Sequence, residues 1–335
     1  MKKIMKDKKR KKSRGDVKGS IMPNFTVKTV IYVIAFAICL SVILYLGFIT
    51  IIKDTGCKDS IVIRHSINNG LLPVDKLAAL TCTTKKLCLT QSRKNCEVFG
   101  KPSKEESIIN KNLKADDNEK AKDQVLDAIV EEMIDCNGIM TKDDGEPYEF
   151  MPSGWTDTKK NYCLICTRII LDEDSKKNVD YVTYGELYKK LSDKKNREGR
   201  SYLGIIHPGW EDWRRAQDIY EALRVNQPDE MPERFEDWKI DLSSDRGIAI
   251  VAQATVEGHL EELIGLVSVG FGTVLTLTYI GAPIGITMIG AGAAGGLAFW
   301  YGTSNDKYKY SPPAVYNGDV DTLKALKCDS FEFSP

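Results

Sequence analysis

Histidine is scarce in this chain. Only His65, His207 and His259 occur among 335 residues, scattered, with no nucleophile or ligand pattern beside any of them. No HExxH, GxSxG, P-loop or GxGxxG is present, so the common zinc-protease, serine-hydrolase and nucleotide-binding chemistries lack a sequence basis. Each histidine is expected at an ordinary surface or interface. No internal repeat is visible, and there is no second Cys-x-x-Cys and no suitably spaced histidine to complete a metal site. The expectation is therefore no metal, no cofactor and no catalytic grouping. Net charge is missing too: 47 Lys and Arg balance 47 Asp and Glu.

That balance hides an asymmetry. Residues 1–28 hold eleven Lys and Arg against Asp7 and Asp16, a net of +9. So basic a block cannot bury itself and is expected to be disordered in water. Nucleic acid is one partner for such a tail. The apolar segment that follows at once favours a cytoplasmic topology determinant touching anionic lipid, and makes nucleic acid an unlikely partner. Between Lys28 and Lys53 lie 24 uncharged residues, 29–52, including Ile31, Val33, Ile34, Phe36, Leu40, Leu44 and Leu46. At about 1.5 Å per residue a helix of this length spans a bilayer core of roughly 30 Å. A cleaved signal would be shorter and followed by a small-residue cleavage site, which Gly47-Phe-Ile-Thr-Ile-Ile does not supply. A pilin-type signal, cut before the helix, is the alternative. The anchor reading places the chain from Lys53 onward outside the cytoplasm.

A second uncharged region runs from Leu263 to Tyr301, 39 residues. As one helix it would be about 58 Å long, nearly twice the bilayer core. Gly281-Ala-Pro283 offers a break, since proline removes a helix donor. The expectation is a glycine-rich transmembrane helical hairpin over 263–302, with its turn at 281–283. Ser268, Gly272 and Thr276 form a small-residue stripe on one arm, and Gly290, Ala294, Ala298 and Gly302 on the other, a pattern that lets backbones pack closely in lipid. The hairpin would pack on itself or on the first helix, or form an oligomeric or membrane-perturbing zipper; a buried soluble core is the remaining reading of this region. Its return would place the tail, 303–335, outside with the main domain, and Trp300, Tyr301, Tyr308 and Tyr310 in an interfacial aromatic belt.

Nine cysteines remain to be placed. Cys39 lies in the first helix without an obvious partner. The others are Cys57, Cys82, Cys88, Cys96, Cys136, Cys163, Cys166 and Cys328, an even number in an extracytoplasmic region, which suggests disulfides. A hairpin centred on Ser92 would bring Cys88 opposite Cys96. Cys163-Leu-Ile-Cys166 has the spacing of a thiol oxidoreductase site, but it sits in a β-branched run, Tyr162 to Leu171, that reads as a strand. In a strand, positions three apart face opposite sides, so the two sulfurs point away from each other. They are then expected to bridge to other elements, with Cys136 a natural partner for one. Redox chemistry at Cys163 and Cys166 is the competing reading.

The intervening stretch, 53–262, reads as an α+β domain. Ser60 to Ile67 reads as a strand. Asn118 to Met140 reads as an amphipathic helix, with Val125, Leu126, Ile129, Val130 and Met133 on one face. Thr183-Tyr-Gly-Glu186 is a capping box opening a helix through Leu187 and Leu191. Trp210 to Val225 reads as a helix and Gly247 to Val256 as a strand. Lys101 to Asp117 is polar enough for a loop. Trp210, Trp213 and Tyr220 are expected in the core. Pro147 to Trp155 and Pro208 to Trp213 are candidate recognition loops.

The order of these features resembles a group of uncharacterised, cysteine-containing, membrane-anchored proteins of small-genome symbiotic (DPANN-type) archaea. The shared pattern is an anchor helix, then Cys57, Cys82 with Cys88 and Cys96, Asp135-Cys136 ending a helix, and Tyr162-Cys163-Leu-Ile-Cys166-Thr167-Arg168. The likeness covers roughly residues 27–172 and, more loosely, the strand near 248; the apolar region at 263–302 is not matched. It implies an envelope-facing, disulfide-bearing domain and no particular activity. Together these readings describe a cell-membrane protein with its N-terminus cytoplasmic. Its domain would serve as a structural or interaction module for the bilayer, an envelope protein or a second copy of itself. A membrane-tethered thiol oxidoreductase and a membrane-perturbing hairpin are the rival functions.

Overall fold

The computed structural model describes residues 29–40, 56–68, 82–91, 96, 99, 108–114, 117–142, 147–148, 161–210, 212–224, 233–256, 286–291, 296–302, 308–319, 326, 328 and 330–332. The chain divides into two units, residues 1–54 and 55–335. In the first, residues 29–40 are helical (α1). Its apolar side chains are exposed all round the helix, with Tyr32 at 72% and Phe36 at 69%. Residues 41–52 of the expected anchor lie outside the described ones. Among the described residues no helix is long and apolar enough to cross a membrane.

The second unit is α+β. Its strands are β1 (Lys85–Thr90), β2 (Ile108–Asn112), β3 (Asn161–Leu171), β4 (Tyr181–Thr183), β5 (Lys239–Asp241), β6 (Ile248–Val256), β7 (Ile286–Ala291), β8 (Gly296–Gly302), β9 (Tyr308–Asn317) and β10 (Ser330–Glu332). Its helices are α2 (Cys57–Asn68), α3 (Asn118–Met140), α4 (Glu173–Asn178), α5 (Tyr184–Asp193), α6 (Tyr202–Ile206) and α7 (Arg214–Arg224), with a 3-10 turn at Phe235–Asp237. One mixed sheet runs β2-β1-β3-β6-β9-β8-β7, with β10 paired to β3, while β4 and β5 form a separate ribbon. The β2-β1-β3 portion is parallel and the remainder of that path antiparallel. α3 is the crossover between β2 and β3, as parallel strands require.

α3 begins and ends where its apolar periodicity does. Asp117 caps it by accepting from the Lys120 amide at 2.7 Å. Val125, Ile129 and Met133, all essentially inaccessible, pack into one core with Leu87, Leu89, Ile169, Ile248 and Ile250 of the sheet. Each such side chain contributes about 1.5–3 kcal/mol by leaving water. One charge enters the same layer: Glu132 is 6% exposed. It accepts from Lys85 Nζ at 2.5 Å and Thr167 Oγ1 at 2.9 Å. A buried carboxylate is tolerable only with such partners.

Several expectations are corrected. Ser60 to Ile67 belongs to α2 rather than a strand: the Ser60 hydroxyl donates to the Cys57 carbonyl at 2.8 Å and Ile61 is wholly buried. Packing overrides the strand preference of Ile61, Val62 and Ile63. The polar stretch 101–117 contains β2. The helix expected over 210–225 begins only at Arg214.

The expectation of a helical hairpin over 263–302 is corrected in its second arm, while 263–285 lies outside the described residues. Its second arm contributes β7 and β8, paired antiparallel from Ile286↔Tyr301 to Ala291↔Gly296. A stripe at every fourth residue falls on one face of a strand as readily as a helix, because four is even. Lack of charge marks burial, not helicity. Gly290, Ala298 and Gly302 are therefore strand residues, whereas Ser268, Gly272, Thr276 and Ala294 lie outside the described ones. The aromatic belt fails at Tyr310, which is buried in the core. The tail nonetheless belongs with the main domain, since β9 pairs with β6 and β10 with β3.

Candidate interaction cleft

Four disulfides staple the second unit: Cys57–Cys82, Cys88–Cys96, Cys136–Cys166 and Cys163–Cys328. Cys39, in α1, is free and exposed. The Cys88–Cys96 bridge is as expected, although β1 is flanked by β2 and β3, so no hairpin joins the two cysteines as paired strands. Cys166 faces the helical layer and takes Cys136 from α3. Cys163 faces the other side and takes Cys328. The Cys-x-x-Cys spacing thus serves two separate cross-links, and the reading of Cys163 and Cys166 as one redox pair is corrected. Strand parity separates the sulfurs.

Of the histidines, His207 is not at the surface: it is 2% exposed and stacks on Trp210, ring centroids 4.6 Å apart. Burial pulls its pKa down to about 3. Trp210 and Tyr220 are core residues, as expected, whereas Trp213 is only half-buried; of the candidate recognition loop Pro208 to Trp213, burial removes Trp210, while Pro208 and Gly209 are exposed. Pro147 bridges to Thr141, while 149–155 lies outside the described residues. Among the described residues no group of three His, Cys, Asp or Glu side chains is placed to hold a metal.

A cleft of about 620 Å³ lies between α5, the β4-β5 ribbon, Trp213 and the 3-10 turn. Its geometry starts at Thr183. The Thr183 hydroxyl accepts from the Glu186 amide at 3.2 Å, and the Glu186 carboxylate accepts from the Thr183 amide at 2.8 Å. This closes the capping box and aims Glu186 into the cleft. There Glu186 pairs with Lys122 of α3 at 2.7 Å. Lys122 and Lys239 stand 5.0 and 4.0 Å from the centre of the Tyr181 ring, within cation–π range. Gly185 allows the 3-10 turn to close the wall, because any Cβ there would lie 2.8 Å from the Glu236 backbone.

Charge in the cleft is mixed with a positive excess. Arg234 pairs with Asp237 at 3.4 Å, whereas Lys189 and Lys239 are exposed and make no ion pair among the described residues. Behind the cleft, Lys190 bridges Asp123 at 2.6 Å and Asp127 at 3.0 Å, tying α5 to α3. Burial lowers the Lys190 pKa, but hydrogen bonds to these two carboxylates outweigh it and hold the ammonium above its ordinary value. The wall is therefore fixed by paired charges, and Lys189, Lys239 and Trp213 are left to face a ligand. Sequence reasoning missed Lys189 and Lys239, for which the only signal was the capping box that anchors α5; it named Trp213 as a core residue and as the end of a candidate recognition loop. No family model, no curated protein and no solved structure matches the chain.

Proposed function

We propose that the protein is a membrane-anchored interaction module of the cell envelope. In this reading residues 29–52 cross the bilayer, the basic leader stays cytoplasmic, and the disulfide-stapled domain faces outward, using its cleft to engage an acidic surface of an envelope protein. The observation that carries the reading is the oxidised state of the domain: eight cysteines after the anchor form four disulfides, whereas the one inside it is free. Disulfides persist in oxidising compartments. The all-round exposure of apolar side chains on α1 supports the anchor, since such a surface is costly in water. The surplus of Lys189 and Lys239 favours an acidic partner. The resemblance to the archaeal membrane proteins belongs to the same proposal.

Sidedness is the test. Single cysteines introduced as Ser20→Cys, Asp54→Cys and Val320→Cys in a Cys39→Ser background are exposed to an impermeant maleimide on intact cells. Labelling at 54 and 320, with 20 reached only after permeabilisation, is the expected result; protection of 320 in intact cells overturns the topology. In the unaltered protein only Cys39 should react without reductant. A reactive and reversibly cycling Cys163 or Cys166 would instead favour thiol–disulfide exchange.

A further inference from the structure

The face of the sheet opposite α3 carries a cluster of cations that the interaction reading does not use. Lys86 of β1 and Arg168 of β3 are register partners, and Arg168 is in turn opposite Ala249 of β6. Two like charges side by side across strands repel each other. Arg246, in the turn before β6, adds a third. Arg168 is half-buried, and among the described residues its side chain donates only from Nη2, to the carbonyls of Arg246 at 3.1 Å and Gly318 at 3.5 Å. Its Nε is buried without an acceptor. Among the described residues neither Arg168 nor Arg246 has an ion-pair partner, and Asp245, the nearest carboxylate in sequence, is held by Lys176 at 2.8 Å. Burial, followed by the charge of Arg246, pulls the Arg168 pKa below its ordinary value.

A partly desolvated guanidinium without a counter-charge is an expensive thing to keep. The turn does not need it for its shape. Gly247, at φ +60°, already approaches the Ile169 carbonyl so closely that no side chain would fit, and its carbonyl accepts from the Gly318 amide at 2.8 Å. What Arg168 and Arg246 offer is N–H donors from two neighbouring guanidinium groups, the chemistry that recognises tetrahedral oxyanions.

We propose that Arg168 and Arg246 form a binding site for a phosphate- or sulfate-class dianion on this face of the domain. Arg168 supplies the desolvated donor at the base, while Arg246, exposed in its turn, closes over the ligand from solvent. The site is independent of the cleft and of the anchor.

The experiment titrates the full chain in detergent micelles with inorganic phosphate, reading the broadening of the phosphorus resonance. Saturable binding is expected, weakened about tenfold or more in Arg246→Gln, with acetate a poor competitor. Arg168→Gln should abolish binding, but it also frees two carbonyls and so can unsettle the turn. Arg246→Gln, whose side chain has no partner to lose, decides the matter. No saturable binding, binding unchanged in Arg246→Gln, or equal competition by acetate overturns the proposal. Competition by glycerol phosphate set against phosphatidate in neutral vesicles then separates the carriers: either competing effectively supports the dianion site and names its source, and failure of both overturns it.

Discussion

His207 shows what burial does to a single titratable group. The unfolded chain would protonate it near its ordinary value of about 6.5, whereas the folded protein holds it neutral down to about 3. Between these values the unfolded state binds more protons, so acidification favours unfolding. Stability should begin to fall as the pH drops below about 6.5, by up to about 1.4 kcal/mol per pH unit, and level off only near pH 3. Replacement by phenylalanine keeps an aromatic ring against Trp210 and Tyr188 and removes the proton site. In His207→Phe the urea midpoint should therefore change much less between pH 7 and pH 5 than in the parent protein. An equal acid loss in both would place the sensitivity elsewhere. Nothing in the sequence around Ile206-His207-Pro208 announced burial, because one histidine between two breaks in periodicity carries no pattern. Its position follows from the short α6, which only tertiary packing defines.

At the level of elements, legibility tracked the strength of the local signal. α3 was readable to its ends because an apolar stripe persisted over six turns. β3 was readable from its β-branched run, and its parity alone separated Cys163 from Cys166. α5 followed from its capping box. By contrast, α2 read as a strand because Ile61, Val62 and Ile63 prefer one, while packing chose a helix. β7 and β8 read as membrane helices because uncharged runs do not declare their period. The cleft was invisible as such: Lys122, Lys189, Trp213 and Lys239 lie far apart in sequence and meet only through the β4-β5 ribbon and the 3-10 turn. Gly185 is where that assembly is tightest. In Gly185→Ala the new methyl would press on the Glu236 backbone, and the turn must retreat. Overpacking of this kind costs roughly 1–3 kcal/mol. The retreat should also loosen Trp238 from Tyr184, whose ring centres are 4.9 Å apart. A lowered urea midpoint together with altered tryptophan emission is expected; an unaltered emission spectrum would show that α5 and the turn move as one.

Across the whole molecule, the sheet is completed from opposite ends of the chain, and the cross-links follow that topology. β9 and β10 come from the C-terminal tail, yet they flank β6 and β3 in the centre of the sheet. Cys163–Cys328 fastens this closure across a sequence separation of 165 residues, whereas Cys88–Cys96 spans only 8. Loop-closure entropy grows with the logarithm of that separation, so the long cross-link restricts the unfolded chain more. On that model removing it costs about 5 kcal/mol, against about 2.5 kcal/mol for the short one. The long bridge also has more to lose in the folded state, because Cys163 packs with Ile165, Val251 and Tyr316 beneath Leu326. Double replacements, Cys163→Ala with Cys328→Ala and Cys88→Ala with Cys96→Ala, avoid stray thiols. Measured on the full chain in detergent, the first should lower the urea midpoint about twice as far as the second. If the order is reversed, the tail strands hold the sheet without their bridge, and the disulfides stabilise local loops rather than the closure of the fold.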